Sequence, residues 1–189
     1  MTIPNYYDEQ SYTKEKISSQ NFLKGLVLEH LKVKTKIKVG DLPSRNPWLL
    51  NFVRDNFKNV EYFARELNKT VHDEMVASKI FNGCDYGVGN ILELKEKTFD
   101  VFNCDGCNTI TEKSKNAEFM FLINNNLATK SIFLTNHTKV HGVKGTFKTN
   151  EYQENIVRLI KHRGHTTVKY CIEEYNATSP MVVSYFLIG

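Results

Sequence analysis

The sequence predicts an α/β domain, with a mostly parallel seven-stranded sheet, helices on both faces and an antiparallel strand from a C-terminal hairpin. Three observations carry that expectation. Short apolar runs alternate with segments of helical periodicity along most of the chain, and parallel strands need such crossovers. The chain closes on two apolar runs joined by a short turn, and a hairpin cannot be parallel to itself. Polar or glycine residues follow the strands, where open α/β sheets gather their ligands.

Taken in order, residues 1–19 read as a polar N-terminal tail and 20–189 as a single domain. Ser18-Ser19-Gln20-Asn21 offers an N-cap for a helix carrying Phe22, Leu23, Leu26, Val27, Leu28 and Leu31 at helical spacing. A strand over 37–42 breaks at Pro43, and Ser44-Arg45-Asn46-Pro47 turns into a helix with Trp48, Leu49, Phe52, Val53 and Phe57 on its apolar side. A strand over 60–64 runs into Arg65-Glu66-Leu67-Asn68. The following helix begins at Thr70 and stops at Asn82-Gly83.

Residues 81–108 hold the next two strands and organise the chain. One spans 84–90 with Ile91–Leu94 trailing, and the other spans 99–104 and ends on Asp105-Gly106-Cys107-Asn108. Beyond them come a helix over 116–127, a strand over 131–135, a glycine-containing loop over 136–149 and a helix over 151–162. The hairpin pairs strands over 167–173 and 181–187 across a turn at 176–180.

A chain of 189 residues is long enough to bury a full core as one domain. Its 41% hydrophobic and 24% charged residues are ordinary for a soluble globular protein. No apolar run approaches the roughly 20 residues that span a bilayer, and the polar N-terminus is unlike a secretory signal. Four cysteines without a framework pattern fit a reducing cytoplasm, so the sequons at Asn68, Asn136 and Asn176 carry no weight. The formal charge of +4 is unevenly spread. Lysines 14, 16, 24, 32, 34, 36 and 38 crowd one part, and Lys139, Lys144, Lys148, Arg158, Lys161, Arg163 and Lys169 another. Such clusters suggest a DNA or RNA surface, with a solvated rim as the plain alternative.

The order of elements resembles the class I S-adenosylmethionine-dependent methyltransferases, a three-layer Rossmann-like fold whose last strand is inserted antiparallel. In that family the first strand ends in an acidic residue and a glycine-rich loop. The matching segment here is Val39-Gly40-Asp41-Leu42-Pro43-Ser44-Arg45-Asn46-Pro47, which keeps Asp41 and has prolines where the family has glycines. Glu66 stands where the family's second strand carries the acid that accepts from both ribose hydroxyls. Gly89-Asn90-Ile91-Leu92 resembles the third strand's end, with Asn90 facing the adenine amine. Asp105 matches the residue that borders the methyl group and its acceptor, with Asn108 close behind.

The resemblance therefore implies S-adenosyl-L-methionine as cofactor, held by Asp41, Pro43, Ser44, Arg45, Glu66, Leu67, Asn90, Ile91 and Asp105. It implies Asp105 and Asn108 as catalytic candidates, and a substrate-side loop with Asn136, His137 and Lys139. The basic clusters favour a nucleic-acid acceptor. A Lys- and Asn-rich, minimal chain also suits a viral or phage enzyme. Two other readings stay open: a catalytically impaired methyltransferase-like binding protein, and another Rossmann-like nucleotide-binding enzyme with Glu66 on a different ribose.

Rival motifs are weaker. Gly87-x-Gly89 ends one strand ahead of another, whereas the dinucleotide fingerprint opens a helix. Cys104-x-x-Cys107 has no second cysteine pair for zinc and does not open a helix, as a redox pair would. The histidines form no ligand set by spacing, and read plainly they are surface or rim residues. Neither a nucleophile elbow nor a P-loop occurs.

Overall fold

Seven strands form one sheet in the order β3-β2-β1-β4-β5-β7-β6. The computed structural model describes residues 14–43, 46–94, 98–109, 118–122, 126–138, 149–166, 168–176 and 180–189. Helix α1 (Lys14–Leu31) leads into β1 (Lys36–Asp41), α2 (Trp48–Asn56), β2 (Asn59–Glu66), α3 (Lys69–Ala77) and β3 (Asp85–Val88). A 3₁₀ turn (Ile91–Glu93) precedes β4 (Thr98–Thr109), and β5 (Asn126–Thr138), α4 (Thr149–His162), β6 (Val168–Asn176) and β7 (Pro180–Ile188) complete the chain. Residues 118–122 are helical. Strands β1 to β5 pair in parallel, while β7 runs antiparallel to both β5 and β6. The expected α/β class and closing hairpin are the observed ones.

Each face of the sheet has its own core. Strand side chains alternate between faces, so Val101 on β4, Ile132 and Leu134 on β5 and Val183 on β7 face α1, α2 and α3. Leu23, Val27 and Leu31 recur every fourth residue along α1, and that stripe is what the helix buries. Polar contacts tie α1 and the residues after it to the sheet. Ser19 Oγ lies 2.6 Å from Tyr185 Oη, His30 Nε2 lies 2.7 Å from the Ile188 carbonyl, Lys34 pairs with Asp100, and Lys34 Nζ donates to the Thr129 carbonyl at 3.1 Å. Asn68 caps α3, its Oδ1 accepting from Thr70 N at 3.0 Å and Val71 N at 3.4 Å, a device worth about 1 kcal/mol.

The opposite face is aromatic. Phe102 stacks on Phe121 with ring centres 4.0 Å apart, Phe133 lies 5.8 Å away, and Phe99 meets Phe102 edge-on at 5.2 Å. Tyr152, Ile156 and Ile160 of α4 close this layer. Its tightness explains Gly40 near the end of β1: a Cβ there would sit 2.5 Å from the Phe102 ring.

Several boundaries differ from expectation. The first helix begins at Lys14 and so includes residues 14–19, which the sequence reading left in the tail. The strand expected over 84–90 is confined to Asp85–Val88, with the trailing residues in a 3₁₀ turn. The helix expected over 116–127 overlaps a strand, because β5 already begins at Asn126 and pairs Leu127 with Phe99. That start became legible only in tertiary structure, where an irregularity at Lys130, with φ of 56°, joins two pairing registers. Strand β4 continues to Thr109, so Asp105–Asn108 are strand residues instead of a turn after one, and Asn136–Thr138 are strand instead of loop. The two extensions support each other: each is long because the other is there to pair with it.

Replacing Gly40 by Ala should destabilise the fold by about 1–3 kcal/mol through overpacking, since the neighbouring aromatic rings leave Phe102 little room to yield. Urea unfolding of the variant checks this, and an unchanged midpoint would show that the aromatic layer is looser than described.

Candidate functional site

Strand β1 lies between β2 and β4, and the chain leaves it in one direction for β2 and arrives in the other for β4. At such a reversal the crossover connections part and leave a crevice beyond the carboxyl ends of the strands. Asp41 ends β1, Glu66 ends β2, and Asn103 and Asp105 lie on β4 beside them, with Asp41 opposite Asn103.

Asp41 is buried and bonded on both sides. Tyr62 of β2 donates its hydroxyl to Oδ2, and Asn103 of β4 donates its amide to Oδ1 at 2.7 Å. Burial raises the Asp41 pKa from 3.8 to about 6 against the lowering effect of those two donors, with Asp105 nearby adding to the rise. Burial and the Asp41 charge hold the Tyr62 hydroxyl well above its ordinary pKa, so it stays protonated as the donor.

One strand further on, Asn136 of β5 donates Nδ2 to Asp105 Oδ1 at 2.6 Å, and Lys16 of α1 lies 3.9 Å from Asp105 Oδ2. A cavity of about 20 Å³ opens here beneath α1, lined among others by Lys16, Gln20, Trp48, Asn103, Asp105 and Asn136. It joins side chains that are distant in the chain, and it brings Asp105 and Asn136 together.

Other expected site residues fall differently. Glu66 is buried at the end of β2, and its Oε1 accepts from Asn68 N at 2.8 Å. Leu67 is exposed and Ile91 is wholly buried against the aromatic core. Asn90, expected to face a ligand, turns its Oδ1 to Leu92 N at 3.0 Å and caps the 3₁₀ turn. Pro43 is buried beside the β1 terminus. Asn108 pairs with His137 along the ladder. Ser44, Arg45 and Lys139, and the side chain of Asn108, lie outside the described residues.

His137 is neither a rim residue nor a partner of Asn136 in the cavity. Alternation puts it on the opposite face of β5, buried, with Nε2 3.3 Å from Glu118 Oε1 and its ring against Tyr152. Tyr152 of α4 donates to the other Glu118 oxygen, and the Cys104 thiol approaches Glu118 at 3.9 Å. This closed polar group lies directly behind Asp105 and Asn136. Cys104 is thus a buried thiol of the reverse face.

The described lysines of the N-terminal cluster divide. Lys34 pairs with Asp100, and Lys36 and Lys38 both reach Glu61 on the amino half of the sheet. Lys16 meets the cavity, and Lys24 lies over the Trp48 ring at 5.8 Å. Tyr62, Asn103 and Glu118 were not singled out from sequence. Only Asn103 left a trace, as a polar residue between Phe102 and Cys104 in an apolar strand.

No family model and no curated protein sequence matches the chain. Solved structures do. The PH0226 protein of Pyrococcus horikoshii superposes with a TM-score of 0.58 at 15% identity, covering 99% of this chain and 97% of its own. The precorrin-6y C5,15-methyltransferase of Geobacter metallireducens gives 0.53 at 10%, covering 95% of each. A Clostridium thermocellum protein named as an rRNA methylase gives 0.53 at 13%, covering 94% of this chain and 99% of its own. With its sheet order and antiparallel β7, the chain has the fold of the class I S-adenosylmethionine-dependent methyltransferases. At these identities the likeness is one of fold.

The raised Asp41 pKa fixes the sign of a pH effect. The folded state holds this proton more tightly than the unfolded chain, so its stabilising contribution is full below 3.8 and is lost as pH rises through about 6. The loss is on the order of 3 kcal/mol. Asp41→Asn should remove that part of the slope, so that urea unfolding at pH 4 and pH 7 differs less for the variant than for the parent. Equal slopes would place the Asp41 carboxyl in contact with solvent.

Proposed function

We propose that the protein is an S-adenosylmethionine-dependent methyltransferase. The observation that carries this is the arrangement of the carboxyl edge: a buried carboxylate, Glu66, ends β2 on one side of the β1 reversal, and the Asp105 cavity lies on the other.

The residues present fit the adenosine part of the cofactor. A carboxylate accepts up to four hydrogen bonds, so Glu66 suits a ribose with two hydroxyls. Beside it Gly89 donates its N–H to the Glu66 carbonyl at 3.0 Å with φ of 142°, and a Cβ there would meet nothing within 4 Å. The backbone of that turn is therefore open to a flat ring. Glu66 would hold the ribose, and the turn over Gly89 and Asn90 would border the adenine.

S-adenosylmethionine, when bound, supplies an electrophilic methyl group on sulfonium. What the chain supplies is position and a proton acceptor. Asp105, oriented by Asn136, can accept a hydrogen bond from an incoming nucleophile and take up its proton as the methyl bond forms. Fold leaves the acceptor open: the neighbours' names include a precorrin methyltransferase and an rRNA methylase. Nucleic acid remains our proposal for the acceptor, resting on Lys16 and Lys24 near the cavity.

The opposing reading, an impaired methyltransferase-like binding protein, draws on one observation: Asp41 is wholly engaged by Tyr62 and Asn103, next to a buried proline where the family has glycines. Calorimetry with S-adenosylhomocysteine separates the two. Binding is expected, and Glu66→Ala should weaken it at least tenfold, the loss of about 1.4 kcal/mol or more that hydrogen bonds to a charged group represent. Absence of heat at millimolar ligand would overturn the enzyme reading, and an unchanged affinity in Glu66→Ala would overturn the ribose assignment. Duplex and single-stranded oligonucleotides should bind with a steep salt dependence, and a flat response would remove nucleic acid as acceptor.

A further inference from the structure

We propose that the outer edge of β6 is the contact between two copies of this chain, paired antiparallel about a two-fold axis at Cys171. The contact is independent of the methyltransferase reading, since β5 and β7 separate β6 from β4 and its crevice.

The two edges of the sheet are built differently. Strand β3 closes one side with four residues, Asp85–Val88, and so short an edge offers little backbone to another strand. Strand β6 closes the other with nine residues, Val168–Asn176, and among the described residues only β7 pairs with it. A long edge presents a row of backbone N–H and C=O groups, and this one also presents Tyr170 and Ile172, 44% and 39% exposed. By alternation these two share the face of the aromatic layer, and the Tyr170 ring lies 6.0 Å from that of Phe186. The apolar layer thus reaches the edge of the sheet and continues past the last buried residue.

The strand's own sequence names its occupant. A two-fold axis perpendicular to the sheet makes an antiparallel edge contact isologous, and such an axis passes between one residue of β6 and its copy. Centred on Cys171, the pairing runs over 168–174. It sets the exposed Lys169 opposite Glu173 of the second copy, and Tyr170 opposite Ile172 of the second copy, each at two symmetric places. Opposite charges and an aromatic–β-branched pair are cross-strand combinations that stabilise a sheet. Moving the axis by one residue loses the match. Centred on Ile172, it brings Tyr170 against Glu174; centred on Tyr170, it shortens the overlap to 168–172 and leaves Lys169 opposite Cys171. A parallel, in-register pairing sets like charges side by side. Charges on an edge strand commonly guard it against strangers, but guarding gives them no reason to mirror one another about a point.

Joined in this way, Tyr170 and Ile172 of the two copies cover each other and make the aromatic layers continuous. The axis reverses strand direction, so the two crevices open at opposite edges of the combined sheet.

Sedimentation equilibrium of the full chain at low salt, where exposed charges are least screened, tests this. A dimer is expected; a monomer at every concentration up to about 100 μM would overturn the proposal. Lys169→Glu and Glu173→Lys each place like charges opposite one another at both symmetric places, and each alone should weaken the dimer about tenfold. An equimolar mixture of the two variants should recover the parent's affinity, because every like pair becomes an opposite pair in the mixed dimer. That recovery would also show that both variants fold. Unchanged association of the single variants, or a mixture no tighter than its components, would overturn the contact. Ile172→Lys, at an exposed position, should leave the circular dichroism unchanged and the chain monomeric; a dimer persisting in it would place the contact away from β6.

Discussion

A carboxylate buried at the end of the central strand β1 constrains everything around it. Asp41 is buried and its charge is desolvated, so its neighbours must supply donors. Tyr62 and Asn103 do so from the strands on either side. Their commitment to Asp41 limits what is left for a ligand: the Tyr62 hydroxyl is spent inward, and one amide N–H of Asn103 with it. The chemistry of the crevice follows from satisfying one buried acid.

The two faces of the sheet share the work around that edge. On the α1 face, polar residues at alternating positions of β4 and β5 build the cavity. On the reverse face, Glu118 binds Tyr152, His137 and Cys104 together behind the same strands. The two strand residues of the reverse group neighbour cavity residues in sequence: Cys104 precedes Asp105, and His137 follows Asn136. A strand locked on one side cannot slip on the other without flipping every side chain. The buried polar group thereby holds the register in which Asp105 meets Asn136, and the aromatic layer over Gly40 does the same for β1 against β4.

The order of elements, the closing antiparallel strand and the acids at the ends of β1 and β2 were legible in the sequence, because each leaves a local signature: a period, a turn, or a polar residue where an apolar run stops. Leu23, Val27 and Leu31 announce the buried stripe of α1 in just this way. Resemblance added Asp105 to that reading. The surroundings of these residues were not legible. Nothing local marks Tyr62 as the partner of Asp41, Glu118 as the partner of His137, or Lys16 as the partner of Asp105, since each pair joins residues far apart in the chain.

By itself, then, the sequence determined which segments are strands and helices, in what order, and that one strand must run against the rest, since these follow from short-range periodicity and connection length. Tertiary structure decided how far β4 and β5 extend, because each ladder exists only if the other strand is present. It also decided which way each polar side chain faces. Asn136 and His137 are adjacent residues with similar claims in the sequence; pairing of β5 with β4 and β7 sends one to the cavity and buries the other behind it.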